Sequence, residues 1–154
     1  MEELAETVAL APEDIHRLKE GGSIVLDVRH AAAWGAGHVP GSVNIGLGGQ
    51  FASWAGSLLP GGTAIVIVAD DGDGVTEAVL RLARVGVESV KGFLDGGMYA
   101  WDKAGLEIGQ TPQMPVDEVE ARLDENAQLQ IIDVRRPGSS LHILVADGSY
   151  SRVL

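Results

Sequence analysis

Apolar and polar positions fall into two kinds of run along this chain. "SIVLDVR" (23–29) and "TAIVIVAD" (63–70) are short, rich in β-branched residues and almost continuously apolar. A strand with one wet face alternates, whereas a strand covered on both faces does not. These two runs therefore predict interior strands of a parallel sheet. "ESVKGF" (88–93) and "SVNIGL" (42–47) are weaker strand candidates.

Helical patterns lie between them. "PEDIHRLKEGG" (12–22) opens on proline, whose fixed φ suits a first turn, and closes on glycine. "FASWAGSLL" (51–59) is a short, mostly apolar helix candidate. In 74–85, Val75, Val79, Leu82 and Ala83 fall at i, i+4, i+7 and i+8, on one face of a helix. "GGMYAWDKAG" (96–105) is a further helix that ends at glycine. Such alternation predicts an α/β layer fold with a mainly parallel sheet, helices on both faces and right-handed crossovers.

The pattern of 12–30 partly returns. "PEDIHRLKEGGSIVLDVRH" is echoed by "PVDEVEARLDENAQLQIIDVRR" (115–136): a proline-started helix, a strand, then Asp-Val-Arg. "QTPQMP" (110–115) reads as a linker because of its two prolines. The expected organisation is a first domain over 4–109, the linker 110–115, and a partial second repeat or C-terminal extension over 116–154. The alternative is one extra helix and hairpin packed on the main domain. A lone helix and strand cannot bury both faces, so packing on a second copy, as a homodimer, is also expected.

The length of 154 residues favours one domain, or one domain plus a fragment. Charge narrows the function classes. The chain has 22 acidic and 11 basic residues, a formal charge of −11. The basic residues are scattered singly apart from Arg135–Arg136. That argues against nucleic acid and against an anionic membrane surface, both of which need a positive footprint. The opening "MEELAETVAL" lacks a basic segment followed by a long apolar core, and no apolar run approaches a membrane span. A cytoplasmic location is expected.

There is no cysteine, which excludes disulfides, thiolate metal sites and a thiol nucleophile from this chain. His16, His30, His38 and His142 form no H-x-H or H-E-x-x-H pair, so no metal and no cofactor is expected. No G-x-S-x-G elbow or phosphate-binding G-x-x-x-x-G-K-[ST] loop is present. "GAGHVPG" (35–41) resembles a dinucleotide fingerprint only in its glycine count.

A longer constellation is more specific. "DVRHAAAWGAGHVPGSVNI" (27–45), the strand, loop and helix of "IVIVADDGDGVTEAVLRLARVG" (65–86), and "GFLDGGMYAWDKAGLE" (92–107) stand in this order. Together they resemble the rhodanese-like family, which carries D-x-R at a strand end, then W-x-x-G-H-[IV]-P-G-[AS], an active loop, and G-G-x-x-x-W-x-x-x-G. The matching positions are Asp27, Arg29, Trp34, His38, Gly41, Gly96, Gly97 and Trp101. The resemblance implies a sheet of about five strands, largely parallel. In active members a loop cysteine closes the strand matching 64–68 and carries sulfur as a persulfide, cradled by backbone N–H groups. Aimed amides and a helix dipole suit that task, since they favour a thiolate and hold an anion.

Here Ala69 falls at the cysteine position, and Asp70, Asp71, Gly72, Asp73, Gly74 and Val75 occupy the cradle. The loop has no arginine, although the family often has one. A methyl group cannot act as a nucleophile. Carboxylates would also repel an anionic sulfur donor: at about 5 Å and an effective dielectric near 20, a like-charge pair costs on the order of 3 kcal/mol before screening. Asp73, just before the expected helix start, is the candidate cap for free N–H groups, so the protein itself would fill the anion position.

The remaining marked residues have structural readings. Asp27 and Arg29 are expected to pair with loop groups, and His38 to fix its turn through ring hydrogen bonds. Trp34, Trp54 and Trp101 are expected as core or lid aromatics. Gly96 and Gly97 would permit a backbone shape closed to other residues.

"FASWAGSLLP" (51–60) followed by "VIVADD" is similar to the rhodanese-like segments C-terminal to metallo-β-lactamase-fold hydrolases, often in tandem. The chain has no H-x-H-x-D-H motif, so any hydrolase would be a separate module or lie in a longer protein. The resulting expectation is a catalytically inactive rhodanese-like module with a protein partner. The alternatives are a sulfurtransferase-related enzyme, or a small-ligand or cation-binding domain using residues 70–75.

Overall fold

Strand β4 (Ile65–Val68) is buried at every position, as its uninterrupted apolar sequence requires. Its side chains alternate between two cores. Ile65 and Ile67 pack with Phe51, Ala55, Val75, Ala78 and Leu82 on one face of the sheet. Val66 and Val68 pack with Ile15, Val25, Leu94 and Trp101 on the other. A strand serving two cores cannot afford a polar residue on either side, hence the continuous run.

The computed structural model describes residues 7–125, 143–144 and 150–151. Its first part runs β1 (Ala9–Leu10), α1 (Pro12–Glu20), β2 (Ile24–Asp27), α2 (Ala31–Ala36), β3 (Val43–Asn44), α3 (Phe51–Leu58), β4, α4 (Gly72–Ala83), β5 (Val90–Leu94) and α5 (Gly97–Lys103). The five strands form one sheet in the order β1-β5-β4-β2-β3, with every pairing parallel. Helices α3 and α4 cover one face, and α1 and α5 the other. This is the α/β architecture expected from the alternation of runs.

Details differ from the sequence reading. Two elements were not expected. One is β1, whose two residues are too few to show a period; it completes the sheet by pairing with β5. The other is α2, where three alanines supply propensity and His30 Nδ1 accepts from Ala32 N at 3.3 Å as a cap. Helix α4 begins two residues earlier than the pattern at 74–85, because its glycine-rich first turn carries no periodic apolar signal. In β5 the chain bulges opposite Ile65 and Val66, and Gly92 crosses close to β1. A Cβ at Gly92 would lie 2.4 Å from the Val8 carbonyl oxygen.

The chain divides into two compact units, Met1–Pro112 and Gln113–Leu154. The second contains α6 (Val116–Glu125) and an antiparallel pair, β6 (Ile143–Leu144) with β7 (Tyr150–Ser151). The strand and Asp-Val-Arg triplet at Asp133 expected in the second half of 115–136 lie outside the described residues.

Candidate functional site

The carboxyl ends of β2 and β4 lie side by side, with Asp27 in register with Val68. Open parallel sheets place their sites at such strand ends. At the end of β4 the chain reaches Ala69, which is buried, and then turns outward through three exposed aspartates, Asp70, Asp71 and Asp73.

Asp71, rather than Asp73, caps the helix. Asp71 is extended, with φ −154° and ψ 176°, and its carboxylate accepts from Gly74 N at 2.8 Å. Asp73 is already inside the first turn. From there its side chain meets the positive end of the dipole but cannot fold back as an N-cap. The expectation for Asp73 is corrected accordingly: an aspartate does occupy a helix-terminal amide, but from the residue just before the helix.

Around Gly74 the floor of the loop is closed by apolar groups. A Cβ there would meet Asp71 Oδ1 at 3.4 Å, Ala69 Cβ at 3.5 Å and Leu47 Cδ1 at 3.7 Å. Val75 is buried beneath it, and Gly72 O accepts from Thr76 Oγ1 at 3.0 Å. On the α5 side, Gly97 comes near the Ala69 carbonyl, 3.7 Å from where its Cβ would be. Gly96 and Gly97 both have positive φ, +70° and +58°, and a Cβ on Gly96 would strike Ala100 at 2.8 Å.

Arg81 is a site residue that the sequence reading missed. It reaches back from the third turn of α4 to the loop after β3, donating from Nη1 to Leu47 O at 2.6 Å and from Nη2 to Gly48 O at 3.2 Å. It also bonds Glu77, one turn away, and lies over the Phe51 ring. The Glu77–Arg81 spacing was the available signal, but an i,i+4 pair on a helix reads as surface decoration. Arg81 is fully engaged with these partners and holds the 47–49 loop against α4.

The other marked residues form a scaffold behind the loop. Asp27 and Arg29 pair first with each other rather than with loop groups: Arg29 Nη2 donates to Asp27 Oδ2 at 2.7 Å, and Nε to Oδ1 at 3.0 Å. Arg29 then reaches one loop carbonyl, Gly37 O, at 2.8 Å. Both side chains are buried, so the bidentate geometry matters. Asn44 ties the same corner by donating to the carbonyls of Asp27 and Arg29.

The His38 and Trp34 rings stack with centroids 3.9 Å apart. His38 Nδ1 lies 2.8 Å from Trp34 O, and Trp34 Nε1 donates to Ser42 Oγ at 2.9 Å. Gly41 turns this segment at φ +76°. Trp101 is buried and donates to Glu107 O. Trp54 is not a core residue: it stands 54% exposed on α3.

Chemically, the loop can hold backbone N–H groups toward an anion, but its own carboxylate takes the one at Gly74. Among the described residues, no group of three or more histidines and carboxylates is arranged to hold a metal. No helix among them is long and apolar enough to cross a membrane.

Comparison with known proteins agrees with this geometry. The family model described as a rhodanese-like domain matches residues 11–104. No curated protein matches the chain. Among solved structures, the Alr3790 protein from Anabaena sp. superposes with a TM-score of 0.59 at 21% identity, over 75% of this chain and 90% of that one. An X-ray structure of its rhodanese-like domain gives 0.52 at 27% identity, over 62% of this chain and 98% of that one. A thiosulfate sulfurtransferase from Pseudomonas aeruginosa gives 0.54 at 17% identity, with 79% of this chain covering 24% of that one. The matched span includes the buried Asp27–Arg29 pair, the loop after β4 and the paired glycines that open α5. This chain belongs to the rhodanese-like domain family.

Proposed function

We propose that the chain is a catalytically inactive rhodanese-like module that works through interaction or regulation rather than sulfur transfer. One observation carries this reading: buried Ala69 stands where β4 ends, and Asp71 accepts from the amide of Gly74 in the turn that follows. Sulfur transfer through a persulfide needs a thiolate in that place to attack the donor sulfur. The chain contains no cysteine. The nearest hydroxyl on α4, Thr76, donates to Gly72 O rather than to a carboxylate or imidazole. The exposed carboxylates of Asp70, Asp71 and Asp73 add repulsion toward thiosulfate, weakened by water and salt but of constant sign.

The similarity of 51–60 to segments that follow metallo-β-lactamase-fold hydrolases supports a cytoplasmic accessory role beside such a hydrolase, with 115–136 as the remnant of a second unit. Co-purification with a hydrolase module tests that part. Thiosulfate:cyanide sulfur transfer by the purified chain tests the main claim. The expected rate is that of a no-protein blank, and clear turnover would overturn the reading.

A further inference from the structure

Helix α3 has more apolar surface than the core uses. Phe51 and Ala55 are buried against the sheet, but Trp54 and Leu58, one turn apart, are 54% and 56% exposed. With Asn44, Ile45, Gly46, Gly48, Gln50 and Phe51 they line an open recess of about 310 Å³. Trp34 and Trp101 donate their indole N–H groups to protein oxygens, whereas Trp54 has no such acceptor among the described residues. An exposed indole with an apolar neighbour in a recess is the kind of surface that burial by a partner stabilises.

The loop 46–49 is the wall of this recess, and its other side meets the acidic loop. Gly46 and Gly48 line the recess, while Leu47 approaches Gly74 next to Asp71. Arg81, the cation at this wall, is engaged by Leu47 O, Gly48 O and Glu77. Asp70, Asp71 and Asp73 have no ion-pair partner among the described residues. The face is thus a recess with exposed Trp54 and Leu58 beside Asn44 and Gln50, and with uncompensated negative charge beyond one wall.

We propose that this face docks a segment of a protein partner that is cationic and carries apolar side chains. One apolar side chain enters the recess over Trp54 and Leu58, and lysine or arginine crosses the 46–49 wall to the carboxylates. Charge selects this occupant. A second copy would bring another chain of net charge −11 to an acidic rim, and nucleic acid or an anionic membrane would be repelled. The inference rests on the interaction-module reading and names its partner chemistry.

The test uses the isotope-labelled full chain titrated with a synthetic amphipathic leucine–lysine peptide and followed by NMR. The same peptide with glutamate for lysine is the control, and circular dichroism verifies each variant's fold. The expected result is saturable shifts confined to 44–58, 70–74 and the Trp54 indole, with no binding by the glutamate peptide. Leu58→Ser and Trp54→Ser each weaken binding by about tenfold, as for central apolar anchors. Asp70→Asn with Asp73→Asn weakens it several-fold and flattens its salt dependence. Absence of binding, shifts spread over other acidic surfaces, or affinity unchanged by Leu58→Ser would overturn the proposal. A dimer seen by light scattering and abolished by Trp54→Ser would also overturn it, in favour of a second copy. Sulfur transfer is read in its own assay, so failure of the interaction-module reading is distinguishable from failure of this docking site.

Discussion

Asp27 is wholly buried, and Arg29, two residues later, supplies it with both a backbone and a side-chain donor. Such a pair contributes little net stability compared with an apolar replacement, yet breaking it is costly because one charge is left without a partner. Asp27→Ala therefore destabilises the fold by about 3–5 kcal/mol. Urea unfolding checks this, and a loss below about 1 kcal/mol would mean that Arg29 finds water or another acceptor. The D-x-R spacing was visible in the sequence, but the partner was not. Residues i and i+2 of a regular strand share a face, so the spacing permits this pair without requiring it. Arg29 lies just beyond the end of β2, so the strand rule alone does not fix where its side chain turns. Trp54 was opaque for a different reason. An apolar residue in an apolar helix reads as core, and only the placement of α3 over one face of the sheet shows which side of it stays wet.

At the scale of elements, the long apolar runs were the most legible. β2 and β4 fall inside their predicted runs, and α1, α3 and α5 within their predicted spans. Short or glycine-rich pieces were not. β1 and α2 lack a readable period, and the first turn of α4 is "GDG", which looks like loop. That misreading moved the cap from Asp71 to Asp73. The corrected cap makes a prediction that separates the two residues. Asp71→Ala costs about 1 kcal/mol, while Asp71→Asn, which keeps the acceptor, is nearly neutral. Asp73→Ala loses only a favourable interaction with the dipole, a few tenths of a kcal/mol in water. Thermal or urea denaturation of the three variants gives the order, and a larger loss at Asp73 than at Asp71 would restore the sequence-based assignment.

At the scale of the molecule, the family could be read from spaced motifs over 4–107, because each motif serves a tertiary role: the strand-end ion pair, the stacked Trp34–His38 corner and the paired glycines by the loop. Arg81 could not, since its role is to hold a loop 34 residues distant in sequence. On the proposed reading, what sets this chain apart within the family is concentrated in one turn, where the methyl group of Ala69 and the carboxylates of Asp70, Asp71 and Asp73 would replace a reactive sulfur and its cradle. The most direct measurement is thiosulfate:cyanide sulfur transfer by the single variant Ala69→Cys, the sole thiol in a chain that otherwise has none. The account predicts a rate barely above the blank, because Asp71 still occupies the Gly74 amide and the carboxylates still face the donor anion. Vigorous turnover from that one substitution would contradict it.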